Sequence, residues 1–96
     1  MLNAESLITA AEFGGDVPEV DLHAQTGQEA ELSVEQALAR AHRAKDPVLK
    51  IIHGRGSGTL QEVVRRTLIN HAFVAAWRPS FRPEEVGAVI YAVLAL

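Results

Sequence analysis

Val48-Leu49-Lys50-Ile51-Ile52-His53-Gly54-Arg55-Gly56-Ser57-Gly58-Thr59-Leu60 is the stretch on which the reading of this chain turns. A run of apolar and β-branched residues leads through His53 into three alternate glycines. That order predicts a buried strand, a tight turn, and a helix that begins near Leu60. Glycines belong where φ is positive or where another group must come close to the backbone. Amides of such a turn, followed by a helix N-terminus, make an electropositive pocket suited to a phosphate. Arg55 adds a permanent charge with fork geometry, and His53 sets an imidazole at the edge of the pocket. The common glycine signatures do not fit. Thr59 stands where the dinucleotide pattern G-x-G-x-x-G needs its last glycine, and no Gly-Lys-Ser/Thr follows. Ser57 lies directly between two glycines, which is not the G-x-S-x-G elbow. Taken alone, the loop has a plain tight turn as its structural alternative.

Upstream, Glu19-Val20-Asp21-Leu22-His23 reads as a short strand with Val20 and Leu22 on one face. Asp21 and His23 share the other face, because side chains alternate along a strand. Thr26-Gly27-Gln28-Glu29 has the form of a capping box. Ser33 to Gln36 offers a second one. Ala30, Val34, Ala37, Leu38 and Ala41 then recur at helical spacing and predict a core-facing stripe. His42 falls off that stripe, which predicts a solvated side chain. Lys45-Asp46-Pro47 ends the helix, since proline disfavours helix in the residue before it. Residues 1–18 lack a firm period; Ala4 to Phe13 has the makings of a short helix, but the stretch reads as an N-terminal arm or linker.

Downstream, Leu60, Val63, Val64 and Leu68 mark a second amphipathic helix with Arg65 and Arg66 on its polar sides. Phe73 to Arg78 predicts a third strand carrying Trp77, and residues 79–85 predict a loop. The apolar run Gly87 to Leu96 predicts a strand covered on both faces. The expected fold is α/β, a two-layer sandwich of order β-α-β-α-β-β, with two helices on a mixed, partly parallel sheet over residues 19–96. A right-handed crossover makes the first two strands parallel neighbours. Ligands of open α/β sheets sit beyond the carboxyl ends of the strands. Asp21, His23, His53 and the glycine loop are all expected at that edge.

Ninety-six residues make one small domain. The chain is 48% hydrophobic and 22% charged, which places it with globular rather than disordered chains. It has no cysteine, so disulfides and thiolate metal sites are excluded. No apolar run reaches the roughly 18 residues needed to span a bilayer, and no secretory signal is evident; a cytoplasmic location without membrane contact is expected. The net charge of −3 hides an asymmetry. Residues 1–46 hold nine acids against three bases, giving −6, and residues 47–96 hold six bases against three acids, giving +3. Such asymmetry bears on a polyanion partner more than the total does.

These motifs resemble those of the small MutS-related (Smr) domain. Its first motif, Leu-Asp-Leu-His-Gly, corresponds to Val20-Asp21-Leu22-His23-Ala24, and its second, His-Gly-x-Gly, to His53-Gly54-Arg55-Gly56. Ser57-Gly58-Thr59-Leu60 continues in the family's manner. Gly87-Ala88-Val89-Ile90 resembles its closing strand, with valine at position 89 in place of the usual threonine. The resemblance covers roughly residues 19–96. It implies a fold like the C-terminal domain of bacterial translation initiation factor three. It also implies cleavage of a nucleic-acid backbone, as DNA nicking or RNA cutting, in connection with repair or recombination. Ala24 departs from the family's glycine, the residue suited to a positive φ or a close approach of the backbone.

Two functions follow as expectations. In the first, an endonuclease, Asp21, His23 and His53 carry the chemistry, while Gly54, Arg55, Gly56, Ser57, Gly58 and Thr59 hold the phosphate. In the second, the same loop clamps nucleic acid without cutting it. A small enzyme acting on a phosphorylated metabolite would share the anion site. No metal ligand set is assigned; metal dependence differs within the family, so magnesium or manganese stays open as a cofactor, as does the oligomeric state.

Overall fold

The computed structural model describes residues 3–96. The Asn3 side chain accepts from the Ser6 amide at 2.8 Å and opens helix α1, Ala4–Glu12. Next come β1 (Glu19–Asp21), α2 (Gly27–Ala44), β2 (Val48–Ile52), α3 (Thr59–Leu68), β3 (Val74–Pro79) and β4 (Val89–Leu94). From β1 onward the order is the expected β-α-β-α-β-β. The sheet is mixed and runs β1-β2-β4-β3. β1 and β2 are parallel, and β4 lies antiparallel between β2 and β3. Both β1 and β2 therefore direct their carboxyl ends to one edge.

Local chemistry sets the element ends. Thr26 and Glu29 form the full capping box, so α2 starts there and not at Ser33. Lys45 takes the left-handed conformation (φ 59°), and the Asp46 amide reaches back to the Ala41 carbonyl, closing α2 just before Pro47. The α2 stripe of Ala30, Val34, Ala37, Leu38 and Ala41 packs with Val63, Val64 and Leu68 of α3 on Leu49, Ile51, Ile90, Ala92 and Leu94 of the sheet. His42 departs from the expectation of a solvated side chain. It is half-buried and stacks on Phe73, ring centroids 4.1 Å apart and planes at 12°.

The N-terminal region differs most from the sequence reading. Residues expected as an arm or linker contain α1, which packs Ile8 and Ala11 against Val48, Val89, Tyr91 and Val93. Those sheet residues point away from α2 and α3, because alternate residues of a strand face opposite sides. Residues 19–96 hold the two expected helices, α2 and α3, on one face of the sheet, and α1 adds a third on the other face. All six residues of β4 are buried as a result, three toward each helical layer. No helix among the described residues is long and apolar enough to cross a membrane.

Candidate functional site

The ends of β1 and β2 and the start of α3 enclose an open cleft of ≈ 430 Å³. Asp21, His23 and Ala24 line one side, His53 to Thr59 the other, and Leu60 and Gln61 the floor toward α3. Every residue singled out from the sequence borders this one space. The parallel pairing of β1 and β2 brings them together, since Asp21 stands opposite Ile52, next to His53.

The glycine loop earns its composition from backbone conformation. Gly54 and Gly58 have φ of +76° and +91°, and a Cβ at either would meet nothing within 4 Å. Positive φ, not close approach, is the reason for glycine at both positions. Gly58 is the N-cap of α3 and carries no side chain to cap it; the Thr59 amide reaches only the Ser57 hydroxyl, at 3.4 Å, and the Leu60 and Gln61 amides have no side-chain acceptor. The positive end of the helix macrodipole and these free donors face an anion arriving in the cleft. Ser57 and Thr59 bring their hydroxyls within 2.9 Å of each other and add polar groups to the same rim.

His53 is buried to 6% exposure at the cleft wall. Its Nδ1 lies 2.9 Å from the Gly54 carbonyl oxygen. A carbonyl only accepts, so in the neutral ring Nδ1 holds the proton and Nε2 keeps its lone pair. Burial pushes the imidazole below its ordinary pKa, and the Gly54 contact offsets this in part. Burial therefore favours the neutral imidazole at His53. Asp21 and His23 are exposed. The Asp21 carboxylate accepts the His23 backbone N–H at 3.0 Å, so it braces the turn after β1. Ala24, one residue on, has φ of 61°. The left-handed conformation that a glycine would adopt freely is present here and is borne by an alanine.

Arg55 behaves differently from the free phosphate contact expected of it. Its Nη2 donates to the carbonyls of Glu84 (3.1 Å) and Val86 (3.0 Å). The loop between β3 and β4 thus anchors the guanidinium, while Nε and Nη1 have no acceptor among the described residues. The His53 and Gly54 amides both donate to the Ala88 carbonyl of that loop, at 2.9 and 3.0 Å. This bracing escaped the sequence reading, because residues 79–85 show no period and their partners lie some thirty positions away. Among the described residues, no three His, Cys, Asp or Glu side chains come close enough to hold a metal ion. One carboxylate and two imidazoles do not form a protein cage for magnesium or manganese.

An open α/β sheet with an imidazole, a glycine turn and an uncapped helix start at its carboxyl edge matches the Smr domain. The model of that family covers residues 20–95, and the chain belongs to it. Among its relatives it is 42% identical over 53 residues to the Endonuclease MutS2 of Thermus thermophilus (55% of this chain, 7% of that protein). It is 35% identical over 60 residues to that of Thermomicrobium roseum (62% of this chain, 8% of that protein). The matched part is less than a tenth of the length of either relative. The Smr domain of the Thermus thermophilus protein superposes with a TM-score of 0.78 at 34% identity, over 83% of this chain and all of that one. YdaL, a stand-alone small MutS-related protein from Escherichia coli, shares the fold with a TM-score of 0.76 at 22% identity, over 88% of this chain and 71% of that one.

Proposed function

We propose that the chain is an endonuclease acting on the phosphodiester backbone of DNA, with RNA as the alternative substrate. The observation that carries this reading is the convergence of a neutral, tautomer-fixed His53 with an uncapped helix N-terminus in one cleft. The amides of the glycine turn and the free nitrogens of Arg55 receive the scissile phosphate. They offset the charge that develops on its oxygens in the transition state. His53 Nε2 takes a proton from the attacking hydroxyl, either water or a ribose 2′-OH, as the new P–O bond forms. His23, exposed across the cleft, supplies a proton to the departing oxygen as the old P–O bond breaks. Asp21 keeps the turn that presents His23 in place. The MutS2 relatives that bear the name endonuclease support this reading, and cytoplasmic DNA repair or recombination is the setting it implies.

A second reading, a clamp that grips the backbone without cutting, draws on two observations. Ala24 carries a strained left-handed backbone beside the site, and Asp21 is committed to an amide rather than to an imidazole. His53→Ala separates the two. As an enzyme, the variant cuts about 10²–10⁴-fold more slowly in single-turnover assays on labelled DNA and RNA, with gel-shift affinity nearly unchanged. The acid limb of the parental rate falls below the ordinary imidazole pKa of 6.5, because His53 stays neutral there. A folded variant that binds and cuts at the parental rate removes His53 from the chemistry. A parent that binds and never cuts establishes the clamp.

A further inference from the structure

α1 lies outside the residues that the family model matches, yet its last residue is the hub of a buried polar network. Glu12 is 4% exposed. Its carboxylate takes two hydrogen bonds from Arg78 at 2.9 and 3.0 Å and one from the Phe81 amide at 2.7 Å. The Ser80 hydroxyl lies 3.2 Å away, and Arg82 donates to the Glu12 backbone carbonyl at 2.9 Å. Phe81 and Arg82 open the loop whose later residues, Glu84 and Val86, hold Arg55 through their carbonyls. Between these two ends the loop is a tight turn, with the Glu85 and Val86 amides both donating to the Arg82 carbonyl at 2.8 and 2.9 Å. A displacement at residues 80–82 is therefore passed to residues 84–86 rather than absorbed.

We infer that Glu12 is a positioning residue for Arg55: it seats the 80–88 loop, and the loop's carbonyls aim the guanidinium into the cleft. The chain thus completes its own anion site with a helix outside the family's matched region. This rests on the reading of Arg55 as a phosphate contact. A double-mutant cycle with Glu12→Gln and Arg55→Ala tests it, using a labelled single-stranded DNA oligonucleotide across a salt series. Circular dichroism fixes a temperature at which all four proteins are folded. Glu12→Gln weakens binding about threefold or more in the parent and has no further effect beside Arg55→Ala, the signature of one coupled unit. It also lowers the salt slope toward that of Arg55→Ala, which is smaller by about 1. If Glu12→Gln does not fold, Ser80→Ala takes its place as a milder loosening of the same end of the loop, with the same coupling expected. Equal losses in both backgrounds, or an unchanged slope, overturn the positioning role and leave Glu12 a structural residue. If Arg55→Ala alone leaves affinity and slope unchanged, the phosphate contact itself fails, and the inference falls with it.

Discussion

The cleft at the carboxyl edge of the sheet and the buried network under α1 are built on opposite principles. In the cleft the work is done by backbone: amides at a helix start, a carbonyl that fixes an imidazole tautomer, glycines at positive φ. Its side chains are mostly exposed, and those that are held, Asp21 and Arg55, pair with backbone groups. Under α1 the work is done by side chains that have no freedom left. Glu85 accepts from Lys50 at 2.7 Å and from the Ser80 and Tyr91 hydroxyls at 2.9 Å each, while Glu12 and Arg78 pair bidentately. Among the described residues, every buried side-chain polar atom has a partner. Burial alone would raise the Glu85 carboxyl, but these hydrogen bonds outweigh it and hold the group below its ordinary range; burial and Glu85 together push the Tyr91 phenol up. The cleft leaves helix-start donors without side-chain partners, whereas the joint under α1 uses all of its own.

The contrast predicts different costs for damage in the two regions. Glu12→Ala is the most severe, at roughly 3–5 kcal/mol in a denaturant melt, because it leaves the Arg78 charge short of a partner in a half-buried place. Acid reports the same joint in the parent. Arg78 in first place, opposed by burial and aided by the Phe81 amide, draws the Glu12 carboxyl down from 4.5 to about 2. Its contribution, up to about 3 kcal/mol, is complete above pH 4.5 and is lost as pH falls toward 2. Glu12→Gln should therefore show a flatter decline of stability over that interval. A parent and variant with parallel acid profiles would mean that the joint is weaker than its geometry implies.

In the cleft the expected costs are smaller and purely conformational. Gly58→Ala should lose about 1–2 kcal/mol, since φ of +91° is unfavourable for any residue with a Cβ although nothing stands in the way of one. A loss well above that would show a steric role for the glycine after all. The smallest effect has the opposite sign. Ala24→Gly should gain about 0.5–1 kcal/mol, as relief of the left-handed strain at φ 61° exceeds the added entropy of the unfolded chain. Ala24 borders the cleft, so a cleavage assay on the same variant shows whether that strain also limits the chemistry.

Legibility in the sequence follows the same division. Strand β2, the turn and α3 were readable because a run of apolar residues, three glycines and a helical stripe are local patterns, and so were the Thr26–Glu29 capping box that opens α2 and the Pro47 stop that follows it. The cleft was readable because strand, helix, strand has one favoured handedness, which places the ends of β1 and β2 side by side. α1 was harder to read. Its Ala4, Leu7, Ile8 and Ala11 do recur at helical spacing behind an Asn3 cap. A nine-residue helix is nevertheless marginal by itself, and packing decides whether it forms.

What the sequence by itself determined is the order of the elements, the mixed sheet, the edge at which the candidate residues gather, and the need for glycine at the turn. Each depends on interactions between residues close in the chain, or on a handedness rule that holds for any sequence of this pattern. What only the tertiary structure decided is that α1 covers the second face of the sheet, that burial holds the His53 imidazole below its ordinary pKa, and that Arg55 is anchored to the carbonyls of Glu84 and Val86. Those outcomes come from pairs such as Glu12 with Arg78 and Ser80, 66 and 68 positions apart. A carboxylate near a chain's start reads as surface charge in sequence, and it becomes a buried hub only when folding has brought an arginine, a hydroxyl and an amide around it to replace the water it loses.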